Sequence, residues 1–281
     1  MSADAQSGTD RSPTSPAIIV HTTRERARAF IRAAFPRRKA RIITVKTAQE
    51  FSTSIRRELI DAVVVDLGGQ SDDAWGIAAQ ARDFSSTPFF GLIQARAADT
   101  PAIARCAHFE FADVLSEQVD EDVARDLIGP LTFTTRFARA LHTPPPSLGL
   151  TSDTQRRTWE AIVQHAGRPV TTRELAATIG VTREHLSRNF AQGHGANLKR
   201  VIDLVRLISA AELSKNPGYD VRDVAAILGF ASSSHLAVTT QRIASTRPAS
   251  LAGLRTIDLV DRFTQGRTRS RSADTPSATP I

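Results

Sequence analysis

The sequence predicts two domains of different class: a doubly wound parallel α/β domain over residues 17–131 and an all-α domain over residues 151–255. Three observations carry this. Short β-branched runs alternate with amphipathic segments in the first half, apolar residues recur only at helical spacing in the second, and Pro144, Pro145 and Pro146 stand between them. Strands that are apolar throughout have to be buried on both faces, which calls for a parallel sheet with helices on each side.

In chain order, residues 1–16 are polar and Pro/Ser/Thr-rich and are expected to be disordered, because too little apolar surface is present to offset the entropy of ordering. Strands are expected at 17–20, 41–45, 62–67, 88–93 and 112–115, and helices at 24–35, 48–59, 73–83, 100–108 and 120–129. Five such pairs in about 115 residues suit a flavodoxin-like domain. Residues 132–150 are expected as a linker, its prolines favouring a stiff extended spacer. Helices follow at 153–165, 172–179, 183–191, 197–214, 221–228 and 233–244, and residues 256–281 are expected to be a mostly disordered tail.

Charge is uneven. Of 36 Lys and Arg against 29 Asp and Glu, residues 151–255 hold 14 and 8, whereas residues 17–140 are nearly balanced at 17 and 16. A basic excess confined to the helical domain points to a polyanionic partner there. Cys106 is the only cysteine, so no internal disulfide can form, and no Cys/His cluster has zinc-site spacing. No apolar run reaches the length of a membrane span, and the N-terminus lacks a secretion-type apolar stretch, so no membrane partner and a cytoplasmic location are expected.

The helical domain contains an internal repeat. ELAATIGVTREHL (174–186) and DVAAILGFASSSHL (223–236) share an acid, an aliphatic, Ala-Ala, an aliphatic, Gly, an apolar residue and a closing His-Leu, with Ala176 and Ala225 49 residues apart. Small Ala permits close helix approach, Gly180 or Gly229 makes the turn, and Leu186 or Leu236 anchors the second helix. Leu198, Val201, Ile202, Val205 and Ile208 mark one face of a connecting helix. At about 25 Å long, such a rod suits two recognition helices held roughly one DNA turn apart.

GVTREHLSRNF (180–190), NLKRVIDLVRLISAAEL (197–213) and GFASSSHL (229–236) followed by Pro248 resemble the AraC/XylS DNA-binding domain in order and spacing. The resemblance implies a sequence-specific transcriptional regulator, with double-stranded DNA as partner and RNA polymerase as a further candidate. It places base-reading side chains after each turn. In the first unit these are Arg183, Glu184, Ser187 and Arg188, with Thr182 as N-cap. Arg183 and Arg188 are the candidates for direct readout, since Arg takes guanine bidentately. In the second unit, Val238, Thr240 and Ser245 depart from the family pattern, so Ser232, Ser233, Ser234, Gln241 and Arg242 are expected to touch mainly phosphates.

The first domain resembles a response-regulator receiver, on its strand order and on Asp66 at the phosphoacceptor position. Phosphoryl transfer to a carboxylate also needs acids holding a divalent cation and a Lys for the product. Here His21, Thr22 and Thr23 follow the first strand, Ile93 and Gln94 stand near the hydroxyl position, and Ser116 and Glu117 stand near the Lys position. Asp66 is therefore expected not to accept phosphate, leaving a domain for homodimerisation or signal input. Trp75, Phe89 and Phe90 are read as core, and Arg37, Arg38, Lys39 and Arg41 as a solvated basic loop. No nucleophile–base set or phosphate loop is visible, so neither catalysis nor a cofactor or metal is expected. The alternative function is a protein-interaction adaptor with weakened, mainly non-specific DNA binding.

Overall fold

The computed structural model describes residues 15–69, 71–192 and 196–272, the last six of these through their backbone only. The expected disorder of residues 1–16, apart from its last two positions, lies outside the described residues, as does that of 273–281.

The first domain is the expected doubly wound sheet. Its strands β1 (Ala17–His21), β2 (Arg41–Val45), β3 (Ala62–Asp66), β4 (Phe89–Ile93) and β5 (Asp113–Ser116) are all parallel in the order β2-β1-β3-β4-β5, the flavodoxin-like order. Register puts Ile19 beside both Ile43 and Val63, and Val65 beside Gly91. Helices α1 (Glu25–Ala34), α2 (Ala48–Ile55), α3 (Asp72–Ala78) and α4 (Thr100–His108) return the chain between strands, and α5 (Glu121–Ile128) follows the last. The period of two along each strand divides the core. Ile18, Val20, Val64, Phe90 and Leu92 pack with α1 and α5, while Ile19, Val63, Val65 and Phe89 pack with Phe51 and Ile55 of α2 and Ile77 of α3.

Segment 132–150 is packed, against the expectation of an extended spacer. Helix α6 (Phe133–Ala140) buries Phe133 and Phe137, whose rings stack 5.9 Å apart. The prolines lead into a short 3-10 turn, Pro146–Leu148, which buries Leu148 completely. Proline excludes α-helix hydrogen bonding here, but the apolar residues flanking it still seek the core.

The second domain comprises α7 (Asp153–Gln164), α8 (Thr172–Ile179), α9 (Arg183–Phe190), α10 (Leu198–Leu213), α11 (Val221–Ile227) and α12 (Ser233–Ala244). Capping boxes start three of them: Ser152 with Gln155, Thr171 with Glu174, and Asp220 with Asp223. Central α10 buries Val201, Leu204, Val205, Leu207, Ile208, Ala210, Ala211 and Leu213, far more of its circumference than a single apolar stripe.

The tail expectation needs correction. A further helix, α13 (Thr256–Ser272), packs against α10 and α12 and fully buries Leu259, Val260 and Phe263. Four large apolar residues in a polar stretch, of which Ile257 stays exposed, are a weak signal in sequence, yet the other three suffice where a folded neighbour supplies the surface they cover.

The α2/α3 face of the sheet continues into the helical domain as one hydrophobic core. The rings of Phe84 and Tyr219 lie 4.8 Å apart, and the Tyr219 hydroxyl donates to the Ile55 carbonyl at 3.3 Å. Gly218 N–H donates to Asp83 O at 2.9 Å, and buried Asn216 accepts from the Ser86 N–H at 2.8 Å. Trp159, wholly buried in α7, donates its indole N–H to the Leu141 carbonyl at 2.7 Å.

Candidate nucleic-acid interface and the receiver-like pocket

Each half of the repeat forms two helices around a glycine turn: α8 and α9 around Gly180, α11 and α12 around Gly229. Both glycines are left-handed, with φ of +77° and +65°. Leu186 and Phe190 bury one face of α9, and Leu236 and Ile243 bury one face of α12. The opposite face is then fixed by the helical period.

On α9, Arg183, Glu184, Ser187 and Arg188 are all exposed. Thr182 is exposed too and caps the helix, accepting from the His185 N–H at 3.2 Å. Helix α9 therefore presents the Arg183 guanidinium at its first turn and the Arg188 guanidinium in its last turn to solvent. Among the contacts described, neither Arg183 nor Arg188 has a carboxylate partner.

The second unit differs. Ser232 caps α12, accepting from the His235 N–H at 3.1 Å, and Ser234 is exposed while Ser233 is half-buried. Gln241 is exposed. Arg242 is exposed but donates to Asp203 of α10 at 2.6 Å, so its charge is partly committed within the protein. Thr240 is fully buried and donates its hydroxyl to the Leu236 carbonyl at 2.8 Å, while Val238 stands 66% exposed. Arg206 braces this unit from α10. Its guanidinium lies 3.8 Å from the centre of the Phe230 ring and donates to the Leu228 carbonyl at 2.9 and 2.7 Å.

At the C-terminal end of the sheet, Asp66 is 2% exposed and heavily engaged. It accepts from the Thr22 hydroxyl at 2.6 Å, the Gly68 N–H at 3.1 Å and the Arg24 Nε at 2.9 Å, with a further close contact from Arg24 Nη2. The same Nη2 pairs with Glu117, which is equally withdrawn from solvent. Burial works against the charge of Arg24, but the hydrogen bonds and charges of Asp66 and Glu117 outweigh it and hold its pKa above the ordinary arginine value. The pocket has thus exchanged charges: a cation follows β1 and an acid follows β5, and Arg24 joins that acid to Asp66.

Sequence reasoning identified Asp66 and Glu117 but passed over Arg24. Its signal was available, since an arginine stands three residues beyond the first strand where the receiver chemistry calls for acids. Among the described residues, no group of three or more His, Cys, Asp or Glu is placed to hold a metal ion, and no helix is long and apolar enough to cross a membrane.

The fold and these sites define a protein with a receiver-like α/β domain joined to a helix-turn-helix domain. A helix-turn-helix domain family matches residues 175–252, a span that takes in both glycine turns and α10. No curated protein matches the chain significantly. Among solved structures, a response regulator from Thermotoga maritima is 20% identical and is similar over 42% of this chain and 97% of its own, with a TM-score of 0.37. A response regulator from Burkholderia pseudomallei, solved with a phosphorylated aspartic acid, calcium ion and citrate, is 13% identical over 62% of this chain and 98% of its own, with a TM-score of 0.35. Full-length FixJ from B. japonicum is 12% identical over 76% and 97%, with a TM-score of 0.37. The fold assignment stands on strand order and register, to which likeness at these scores adds nothing.

Proposed function

We propose that the protein is a sequence-specific DNA-binding transcriptional regulator of the AraC/XylS type, whose receiver-like domain serves dimerisation or signal input without phosphorylation. The observation that carries the reading is the pair of glycine-turn units whose second helices, α9 and α12, expose their capped N-termini while sharing one buried connector, α10. Sixteen residues make that connector about 24 Å long at 1.5 Å per residue, a length suited to reaching successive major-groove segments. Arg183 and Arg188 are proposed to read bases, helped by Thr182, Glu184 and Ser187, while Ser232, Ser233, Ser234, Gln241 and Arg242 position the second unit on phosphates.

The engagement of Asp66 by Thr22, Gly68 and Arg24 supports the absence of phosphorylation: the carboxylate that would attack a phosphodonor is already saturated. A homodimer is supported by an apolar stripe on the receiver-like domain, where Val119, Val123, Leu127 and Leu131 recur every fourth residue along and beside α5 and are each 37–45% exposed. RNA polymerase is retained as a candidate partner from the family resemblance alone.

The test is selection of bound duplexes from a random pool by the full chain. A defined consensus is expected, and Arg183→Ala or Arg188→Ala should each weaken binding to it by about 1 to 3 kcal/mol while relaxing one base position. Unselective binding that ignores both substitutions would sink the reading. The adaptor alternative is favoured by the Arg242–Asp203 pair and by exposed Val238 on α12, and it predicts a stable protein partner together with only salt-sensitive, unselective DNA binding by the whole chain.

A further inference from the structure

Asp61 precedes β3 and has no solvent exposure. Its carboxylate gathers three separate parts of the chain. It accepts from the Ala17 N–H at 2.8 Å at the start of β1, from the backbone N–H of Thr134 at 2.9 Å and the Thr134 hydroxyl on α6, and from the Arg168 guanidinium in the α7–α8 loop. Arg168 also donates to the Thr134 hydroxyl at 2.7 Å and to the Leu59 carbonyl at 3.3 Å. The ion pair is nearly dry, since Arg168 keeps only 15% of its side chain exposed.

The residues beside Arg168 lie against the second helix-turn-helix unit. The Ala166 carbonyl accepts from the Ser209 hydroxyl of α10 at 2.8 Å. Gly167 has φ +84°, and a Cβ there would meet Ser209 at 2.4 Å and Leu228 at 3.2 Å, so this loop lies close against α10 and the residue that ends α11. Pro169 touches the turn itself: a Cβ on Gly229 would stand 2.5 Å from its ring. Residues 166–169 thus join the first unit, the connector and the turn of the second unit, and Arg168 fastens that joint to the sheet.

We infer that Asp61 and Arg168 are positioning residues through which the receiver-like domain holds the turn of the second helix-turn-helix unit, and so sets where α12 stands relative to α9. The inference rests on the proposed DNA-binding function for its consequence, though not for its mechanical part. A carboxylate and a guanidinium sharing several neutral partners in a dry site hold their geometry because each would be left unpaired by any displacement. The linkage is local and contiguous: Asp61 to Arg168, Arg168 to Pro169, Pro169 to Gly229. Neither Asp61 nor Arg168 lies on the faces of α9 and α12 proposed to meet DNA, so an effect of either on recognition is indirect.

Two measurements on the full chain decide it. Hydrogen exchange without DNA should show the Leu228–Ser232 turn opening at least tenfold more often in Arg168→Ala and in the isosteric Asp61→Asn, with the Gly180–Leu186 segment unchanged. Arg168→Lys, which keeps a charge but not the shared fork, should fall between. Footprinting on the duplex selected by the wild-type chain should then show protection lost on the second half-site alone, with affinity reduced at least tenfold. Unchanged exchange in the Leu228–Ser232 turn would overturn the linkage. Faster exchange with an unaltered footprint would overturn the positioning role. Failure of the wild-type chain to select any sequence would instead remove the DNA-binding reading, and the exchange result would still decide the linkage.

Discussion

Replacing Arg24 by alanine would leave Asp66 with no paired cation and Glu117 with only the exposed Arg26 at 3.7 Å, each carboxylate having about 2% of its side chain exposed. Breaking a buried pair in this way costs about 3 to 5 kcal/mol, and the lower end is expected because Arg24 keeps 19% of its side chain in solvent. Urea unfolding checks it. Two histidines contribute to the acid limb. Burial pushes the pKa of His21 and of His165 below the ordinary histidine value, so both take up a proton less readily in the folded protein than in the unfolded chain. The unfolded chain then binds more protons below about pH 6.5, and stability contributed by the neutral rings is complete above that pH and declines as pH falls through their lowered pKa values. Comparing urea midpoints at about pH 5 and pH 7.5 should show this loss, and replacing both residues by leucine should flatten it. At this scale the sequence showed which ionisable groups stood near the ends of strands. It did not show that Arg24 folds back over β3, because pairing across 42 residues is decided by strand order.

The two glycine turns look alike as sequence and differ as elements. Both need a left-handed residue, so alanine at either costs about 1 to 2 kcal/mol in backbone strain. A Cβ on Gly180 meets nothing within 4 Å, whereas one on Gly229 meets Pro169 at 2.5 Å. Gly229→Ala should therefore lower the melting temperature clearly more than Gly180→Ala, and near-equal losses would contradict the close approach. Helix α13 makes a second case. Ending the chain at residue 255 removes Leu259, Val260 and Phe263 from full burial, at about 1.5 to 3 kcal/mol for each large side chain, and uncovers the surfaces of α10 and α12 beneath them. A truncated chain should be measurably less stable and more prone to associate. Helical periodicity made α7 through α12 legible. It left α13 and α6 out, because a helix with few apolar residues is justified only by the neighbour it covers.

For the molecule as a whole, the basic excess of residues 151–255 predicts DNA affinity that falls linearly with salt on logarithmic axes, at about 0.9 of a unit for each phosphate neutralised. The proposed dimer predicts that Val123→Glu or Leu127→Glu, at exposed positions of α5, yields a monomer by sedimentation without loss of folding. Patterning alone determined much of this protein: five apolar strand segments spaced for helical returns, a repeat with glycine at each turn, and a charge excess confined to one domain are all local features, and local features survive in a linear string. The tertiary structure alone decided what lies between them. Arg24 fills the receiver-like pocket, Asp203 holds Arg242, Asp61 meets Arg168 across 107 residues, and the linker and part of the tail are folded. Such contacts depend on which surfaces are brought together when the sheet's second face is buried, and no periodicity along the chain encodes that choice.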